Sequence, residues 1–171
     1  MAIYFYPVII SVVDGTYNCR WTTETISTYL DYLKETFLIY EVDRYDVKGK
    51  TILSSTKKYY LNDVGFENYF MSTYDMGISK QLENCIYLQL RQQGYQVTVG
   101  IIRDKEIDFI AEKNGRKIYI QVTVSLQDDA VIKREYGNLE RNHDAYEKWV
   151  VSLDDTISGQ RDGIQHYSDL F

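Results

Sequence analysis

Four side chains near the middle of the chain have the types and spacing needed for metal or acid–base chemistry: Glu83, Asp108, Gln121 and Thr123. Side chains alternate faces along a strand, so in Glu106-Ile107-Asp108-Phe109-Ile110 the carboxylates of Glu106 and Asp108 point the same way. In Arg116–Val124, Ile118, Ile120, Val122 and Val124 share one face, and Tyr119, Gln121 and Thr123 share the other. A tight turn at Asn114-Gly115 sets the two polar faces side by side. Glu83 follows Leu82, beside the apolar stripe of the preceding helix. A carboxylate there either closes a polar network or helps to hold a divalent cation. An ordinary amphipathic sheet with solvated acids accounts for the same spacing, and the residues alone leave both readings open.

The elements that must position these residues follow from periodicity. Ile78, Leu82, Ile86 and Leu90 recur at helical spacing, and Gly94 stops the helix. Three strands are predicted next, Gln96–Ile102, Glu106–Glu112 and Arg116–Val124, with breaks at Arg103-Asp104-Lys105 and Asn114-Gly115. Asn-Gly predicts a type I′ hairpin, which needs positive φ at both central residues. A helix is expected over Asp128–Glu140, a buried strand over Trp149–Leu153 and a short one over Ile164–Tyr167.

The first half opens on an apolar stretch, Ile3–Val13, whose Tyr, Val and Ile content predicts a strand. Pro7 argues for an edge position there, and Asp14-Gly15 for a turn. Ile26, Leu30, Leu33 and Phe37 then lay one apolar stripe along a helix from about Thr23 to Thr36. Thr22 or Thr23 supplies its N-cap, and Glu24 suits the positive end of the helix dipole. Strands over Phe37–Tyr45 and Lys57–Leu61 make a hairpin, closed by Asn62-Asp63 and followed by a short helix over Val64–Met71.

Composition narrows the classes of function. The chain has 171 residues, enough to bury a core without disulfides or a structural metal. Its net charge of −6 argues against long-range attraction to nucleic acid. Arg44, Lys48, Lys50, Lys57 and Lys58 form a basic cluster, read as a solvated hairpin in preference to a phosphate contact. The two cysteines, Cys19 and Cys85, are far apart and form no paired motif, in keeping with a reducing cytoplasm. No apolar run reaches the eighteen or so residues of a membrane helix. Most of the seventeen tyrosines fall where packing is expected, which favours core roles over base stacking.

A helix Glu, a strand Asp, and a hairpin to a strand with a polar-x-polar pair is an order similar to that of the PD-(D/E)XK nuclease superfamily. More closely, the chain resembles domain of unknown function 4143, which follows the ATPase module of prokaryotic AAA-type ATP-binding proteins. The stretches that carry the likeness are Tyr29–Tyr40, Lys58–Asp63, Leu82-Glu83-Asn84, Glu106–Glu112, Ile118–Val122, Val151–Asp154 and Asp162-Gly163-Ile164. None is diagnostic singly; their order carries the resemblance. It implies an α/β fold with a restriction-endonuclease-like α-β-β-β core at residues 76–171. Residues 1–75 would form a strand, helix and hairpin, a truncated winged-helix-like part lacking two earlier helices.

In an active superfamily member the helix Glu, the strand Asp and an acid of the E-x-K pair hold Mg²⁺ or Mn²⁺, and the lysine positions the attacking water. Glu83 and Asp108 match, and they are the metal ligands the resemblance implies. Gln121 stands where the second strand acid belongs and Thr123 where the lysine belongs. Lys117 lies six residues from that place, roughly 20 Å along a strand, which leaves Lys133 as the substitute lysine. No G-x-x-x-x-G-K-[ST] occurs, so this chain is not expected to bind ATP. It reads as the C-terminal part of a longer ancestral protein. The function expected is a non-catalytic interaction module that binds a protein partner or itself, with no membrane role and with nucleic acid less favoured. A variant metal-dependent nuclease is the alternative.

Overall fold

The computed structural model describes residues 22–66, 78–142, 144–154 and 159–168. The expected strand over Ile3–Val13, Pro7, the turn at Asp14-Gly15, Cys19 and most of the helix over Val64–Met71 lie outside them.

Helix α1 (Thr23–Glu35) starts where Thr22 turns its hydroxyl onto the Thr25 N–H, satisfying one of the unpaired donors of a first turn. Leu30 buries against Ile39, with Ile26 and Leu33 beside them. Phe37 does not extend this stripe. It is 69% exposed and takes φ 56 just past the helix, where Leu38 N–H closes onto Leu33 C=O. The chain reverses there with a bulky residue in a conformation that glycine usually fills.

Strands β1 (Ile39–Asp46) and β2 (Thr51–Leu61) form the expected hairpin, extended on both sides of its turn. Helix α2 (Ile78–Gln92) ends as predicted at Gly94, φ 82. Gly94 N–H bonds Arg91 C=O and Tyr95 N–H bonds Leu90 C=O, the paired closure a left-handed residue permits. Then come β3 (Gln96–Ile102), β4 (Lys105–Lys113) and β5 (Arg116–Val122), helix α3 (Asp129–Glu140) and β6 (Glu147–Val151). A final pair, β7 (Gly159–Arg161) and β8 (Ile164–Tyr167), completes the chain, and β7 was not foreseen. The β4–β5 turn has φ 51 at Asn114 and φ 80 at Gly115, as its sequence requires.

Among the described residues the strands form one eight-stranded mixed sheet, ordered β2-β1-β3-β4-β5-β6-β8-β7. Pairing is antiparallel except at β1–β3, β5–β6 and β6–β8. The sheet runs unbroken across residue 75, because β1 lies parallel to β3. Helix α2 covers one face, packing Ile86, Tyr87 and Leu90 on Val42, Tyr60, Phe109, Ile118, Ile120 and Val122. Helix α3 covers the other, packing Tyr136 and Leu139 with Ile107, Ile110, Tyr119 and Val150. The alternation of β5 residues between these two cores places the helices on opposite faces.

One irregularity decides where the candidate acids point. Thr98 pairs with Ile110 and Gly100 with Ile107, so β4 carries one residue more than β3 across this stretch. Such a bulge interrupts alternation. Ile107 and Ile110 therefore both enter the α3-side core, while Phe109 enters the α2-side core. Gly100 sits opposite, where a larger residue would be crowded: a Cβ there would lie 3.0 Å from Ile107 Cβ and 3.1 Å from Ile110 Cδ1.

Candidate functional site

On the α2 face the charged side chains converge on Lys58. Its ammonium lies 2.6 Å from Glu83 Oε1 and 2.6 Å from Glu106 Oε1. Arg44 Nη1 reaches the other oxygen of Glu106 at 2.5 Å, and the Tyr60 hydroxyl donates to Glu83 Oε1 at 2.6 Å. Four elements meet here: β1 supplies Arg44, β2 supplies Lys58 and Tyr60, α2 supplies Glu83 and β4 supplies Glu106. Tyr60 stacks on Tyr87 of α2 at 4.3 Å, which presses the helix and its Glu83 onto the sheet. Asn84 locks the same contact, pairing its side-chain amide with both backbone groups of Leu61.

Asp108 lies beside this network, half-buried, and its Oδ2 accepts the Val122 N–H at 2.7 Å. Regular alternation back from Phe109 would have set it on the face of Gln121. The bulge keeps it on the face of Glu106 instead, and Glu83 and Lys58 are its dominant charged neighbours. Burial first, and then the Glu83 carboxylate, hold the Asp108 carboxyl well above the ordinary carboxylate range, which favours the neutral acid. Glu106 behaves oppositely. Burial opposes its ionisation, but Lys58 and Arg44 outweigh that and hold it below its ordinary value. Lys58 itself is penalised by burial, yet Glu83 and Glu106 keep its ammonium above the normal lysine range. The result is two cations, Arg44 and Lys58, set against two carboxylates, Glu83 and Glu106, with Asp108 driven toward neutrality.

The expected site is thus brought together in part. Glu83 and Asp108 share the cluster. Gln121 and Thr123 do not join it: both are buried on the face of Tyr119, the α3 side. Gln121 Oε1 has no hydrogen-bond partner there. Strand β5 ends at Val122, short of the expected Val124, although the Thr123 N–H still bonds Val151 C=O of β6. Lys133 is exposed on α3, across the sheet from Glu83, and the lysine at the acids is Lys58. Of the basic hairpin, Lys48 and Lys50 are exposed at the turn, as expected, but two other members are not. Arg44 is 8% exposed and Lys58 is enclosed by two carboxylates; neither is a solvated turn residue.

A hard divalent cation needs several oxygen donors free to converge on it. Here Glu83 and Glu106 are turned onto Lys58, Asp108 is bound to a backbone N–H, and Gln121 lies on the other face. Among the described residues no group of three or more His, Cys, Asp or Glu is arranged to hold a metal ion. As arranged, the donors do not fit Mg²⁺ or Mn²⁺. No helix among the described residues is long and apolar enough to cross a membrane.

Residues 8–80 match a family described as a domain of unknown function, DUF8612. The match includes Arg44, Lys58 and Tyr60 and ends before Glu83 and Asp108. The chain is 33% identical over 144 residues to an uncharacterised protein of Haemophilus influenzae, covering 84% of this chain and 35% of that protein. It is 29% identical over 141 residues to an uncharacterised protein of Methanocaldococcus jannaschii, covering 80% of this chain and 29% of that one. The chain spans about a third of the length of the curated relatives it matches.

Proposed function

We propose that the chain is a non-catalytic interaction module built on a degenerate nuclease-like scaffold, related to the domain that follows the ATPase module of AAA-type proteins. The observation that carries this reading is the Lys58 ammonium held between Glu83 and Glu106, where an active member would keep its carboxylates open to a metal. A buried ion network of this kind tethers α2 to the sheet and gives the acids a structural task. The partner is a protein or a second copy of the chain, in keeping with the exposed aromatics Tyr29, Tyr32 and Phe37 around α1. The span of one third of longer relatives suits a module that acts within a larger assembly.

Mn²⁺ titrated calorimetrically into the wild type and into Asp108→Ala should give no saturable heat with either. Specific Mn²⁺ binding by the wild type that Asp108→Ala abolishes would overturn the reading. It would favour the second one, a metal-dependent nuclease in which Lys58 takes the lysine's part beside Glu83 and Asp108. The closeness of Lys58 to both acids is the specific observation in favour of that alternative.

A further inference from the structure

The α3 face carries a second polar centre, unconnected with the charged cluster. His166 of β8 is 7% exposed, and its Nε2 lies 2.8 Å from the fully buried Ser152 Oγ. That oxygen also accepts the Asp154 N–H at 3.1 Å. The His166 Nδ1 is buried with no partner. Two tautomers are available, and they differ in what they leave unpaired. If Ser152 donates to Nε2, the hydroxyl is fully used and only the Nδ1–H is orphaned. If Nε2 donates to Ser152, both the Ser152 proton and the Nδ1 lone pair lack a partner. Orphaned buried polar groups cost on the order of 1–3 kcal/mol each. The first tautomer therefore wins, and His166 presents a buried N–H in want of an acceptor.

The same ring lines a cleft of about 190 Å³ between α3 and the β7–β8 hairpin. The hollow has a specific cause. Gly159 is the residue paired with His166 across the hairpin, and the space where its Cβ would stand is open. Arg161, two residues on, shares that face and lies over the Tyr136 ring at 5.5 Å. Among the described residues its ionic contact is a loose one to its neighbour Asp162, at 3.7 Å. Leu126, Ile132 and Tyr136 give the cleft an apolar wall. It lies against the β7–β8 edge of the sheet.

We infer that this cleft binds a small carboxylate with an apolar body, the carboxylate taken by Arg161 and by the His166 Nδ1–H, which a small shift of the ring uncovers from its sealed position, and the body by Leu126, Ile132 and Tyr136. One guanidinium and one neutral N–H match a monoanion better than a phosphate dianion. The volume lies below the roughly 300 Å³ at which drug-sized sites begin, so the body is no larger than a single ring or a short branched chain.

Two-dimensional ¹⁵N–¹H spectra of the histidine rings test this directly, with benzoate, inorganic phosphate and benzyl alcohol as probes. The chain has only two histidines, which makes assignment simple. His166 is expected to be protonated on Nδ1 in the free protein, and benzoate to shift its signals saturably. Arg161→Gln, at an exposed position, should weaken benzoate about tenfold or more, a difference of roughly 1.4 kcal/mol. Benzyl alcohol and phosphate should each bind at least about tenfold more weakly than benzoate. A proton on Nε2, no saturable benzoate shift, or an affinity indifferent to Arg161→Gln would each overturn the inference. Phosphate binding more tightly than benzoate would overturn the choice of a carboxylate.

Discussion

The two faces of the sheet bury polar groups in opposite ways. Under α2, ions are buried in matched number: Arg44 and Lys58 face Glu83 and Glu106, and the fifth group, Asp108, is pushed toward its neutral form. Under α3 the buried polar groups of the sheet are neutral, the one buried charge among the described residues there being Glu135 of the helix itself, paired with Arg134; two of the neutral groups, Gln121 Oε1 and His166 Nδ1, are left without a partner. A charge in a low-dielectric interior must be compensated within hydrogen-bond distance or it does not stay charged. A neutral amide or imidazole can remain unpaired at a cost of a kilocalorie or two. The charged cluster is therefore closed to a newcomer by its own balance, whereas His166 on the other face retains unmet hydrogen-bonding capacity beside a cleft.

The largest effect should come from breaking the balance. Lys58→Met leaves Glu83 and Glu106 facing each other with one cation fewer; loss of one partner from a fully buried pair costs about 3–5 kcal/mol, and the partial exposure of the two carboxylates places the loss here at the low end of that range. Urea unfolding near neutral pH measures it; a loss below 1 kcal/mol would mean the network is far better hydrated than its geometry implies. Next is Gly100→Ala, at the bulge that sorts β4 between the two faces. Its Cβ would press on Ile107 and Ile110, and overpacking of this kind costs roughly 1–3 kcal/mol. Ser152→Ala tests the α3 face. It removes the hydroxyl that joins His166 to the Asp154 N–H, and the expected loss is about 1–2 kcal/mol by thermal or chemical unfolding, well short of the Lys58 effect. If the two losses were equal, the contrast between ionic and neutral burial would fail.

The smallest effect is the most diagnostic in sign. The folded Asp108 carboxyl titrates above its unfolded value, so the protonated form stabilises the fold. That contribution is complete below the unfolded value and is lost as pH rises toward the folded one. Asp108→Asn cannot lose it and keeps an oxygen for the Val122 N–H. Relative to wild type, the variant should gain stability steadily from pH 4 to pH 8, as measured by urea unfolding at intervals. A difference that stays flat, or that falls with pH, would show that Asp108 is an ordinary ionised carboxylate.

Much of the local structure could be read directly from the chain. The helical repeat over Ile78–Leu90, its stop at Gly94 and the Asn114-Gly115 hairpin depend on neighbours within a few residues, and all three are in place. The strand limits of β3 and β8 match the expectation to the residue. Phe37 escaped because periodicity says nothing of where a helix must reverse. Lys58 escaped for a different reason. Its partners lie 25 and 48 positions further along the chain, and they meet it only because β1 pairs in parallel with β3 and carries β2 with it.

Residue order therefore settled most of the elements and the Asn114-Gly115 turn, since these follow from backbone stereochemistry and short-range periodicity. Only the assembled sheet decided what the acids face. A single bulge opposite Gly100 put Asp108 on the α2 side and left Gln121 and Thr123 on the other. Long-range strand pairing then delivered Lys58 and Arg44 to the carboxylates. Charge compensation acts over a few ångströms of space, whatever the separation along the chain, so one-dimensional spacing could propose an acidic site but could not reveal the cations that balance it.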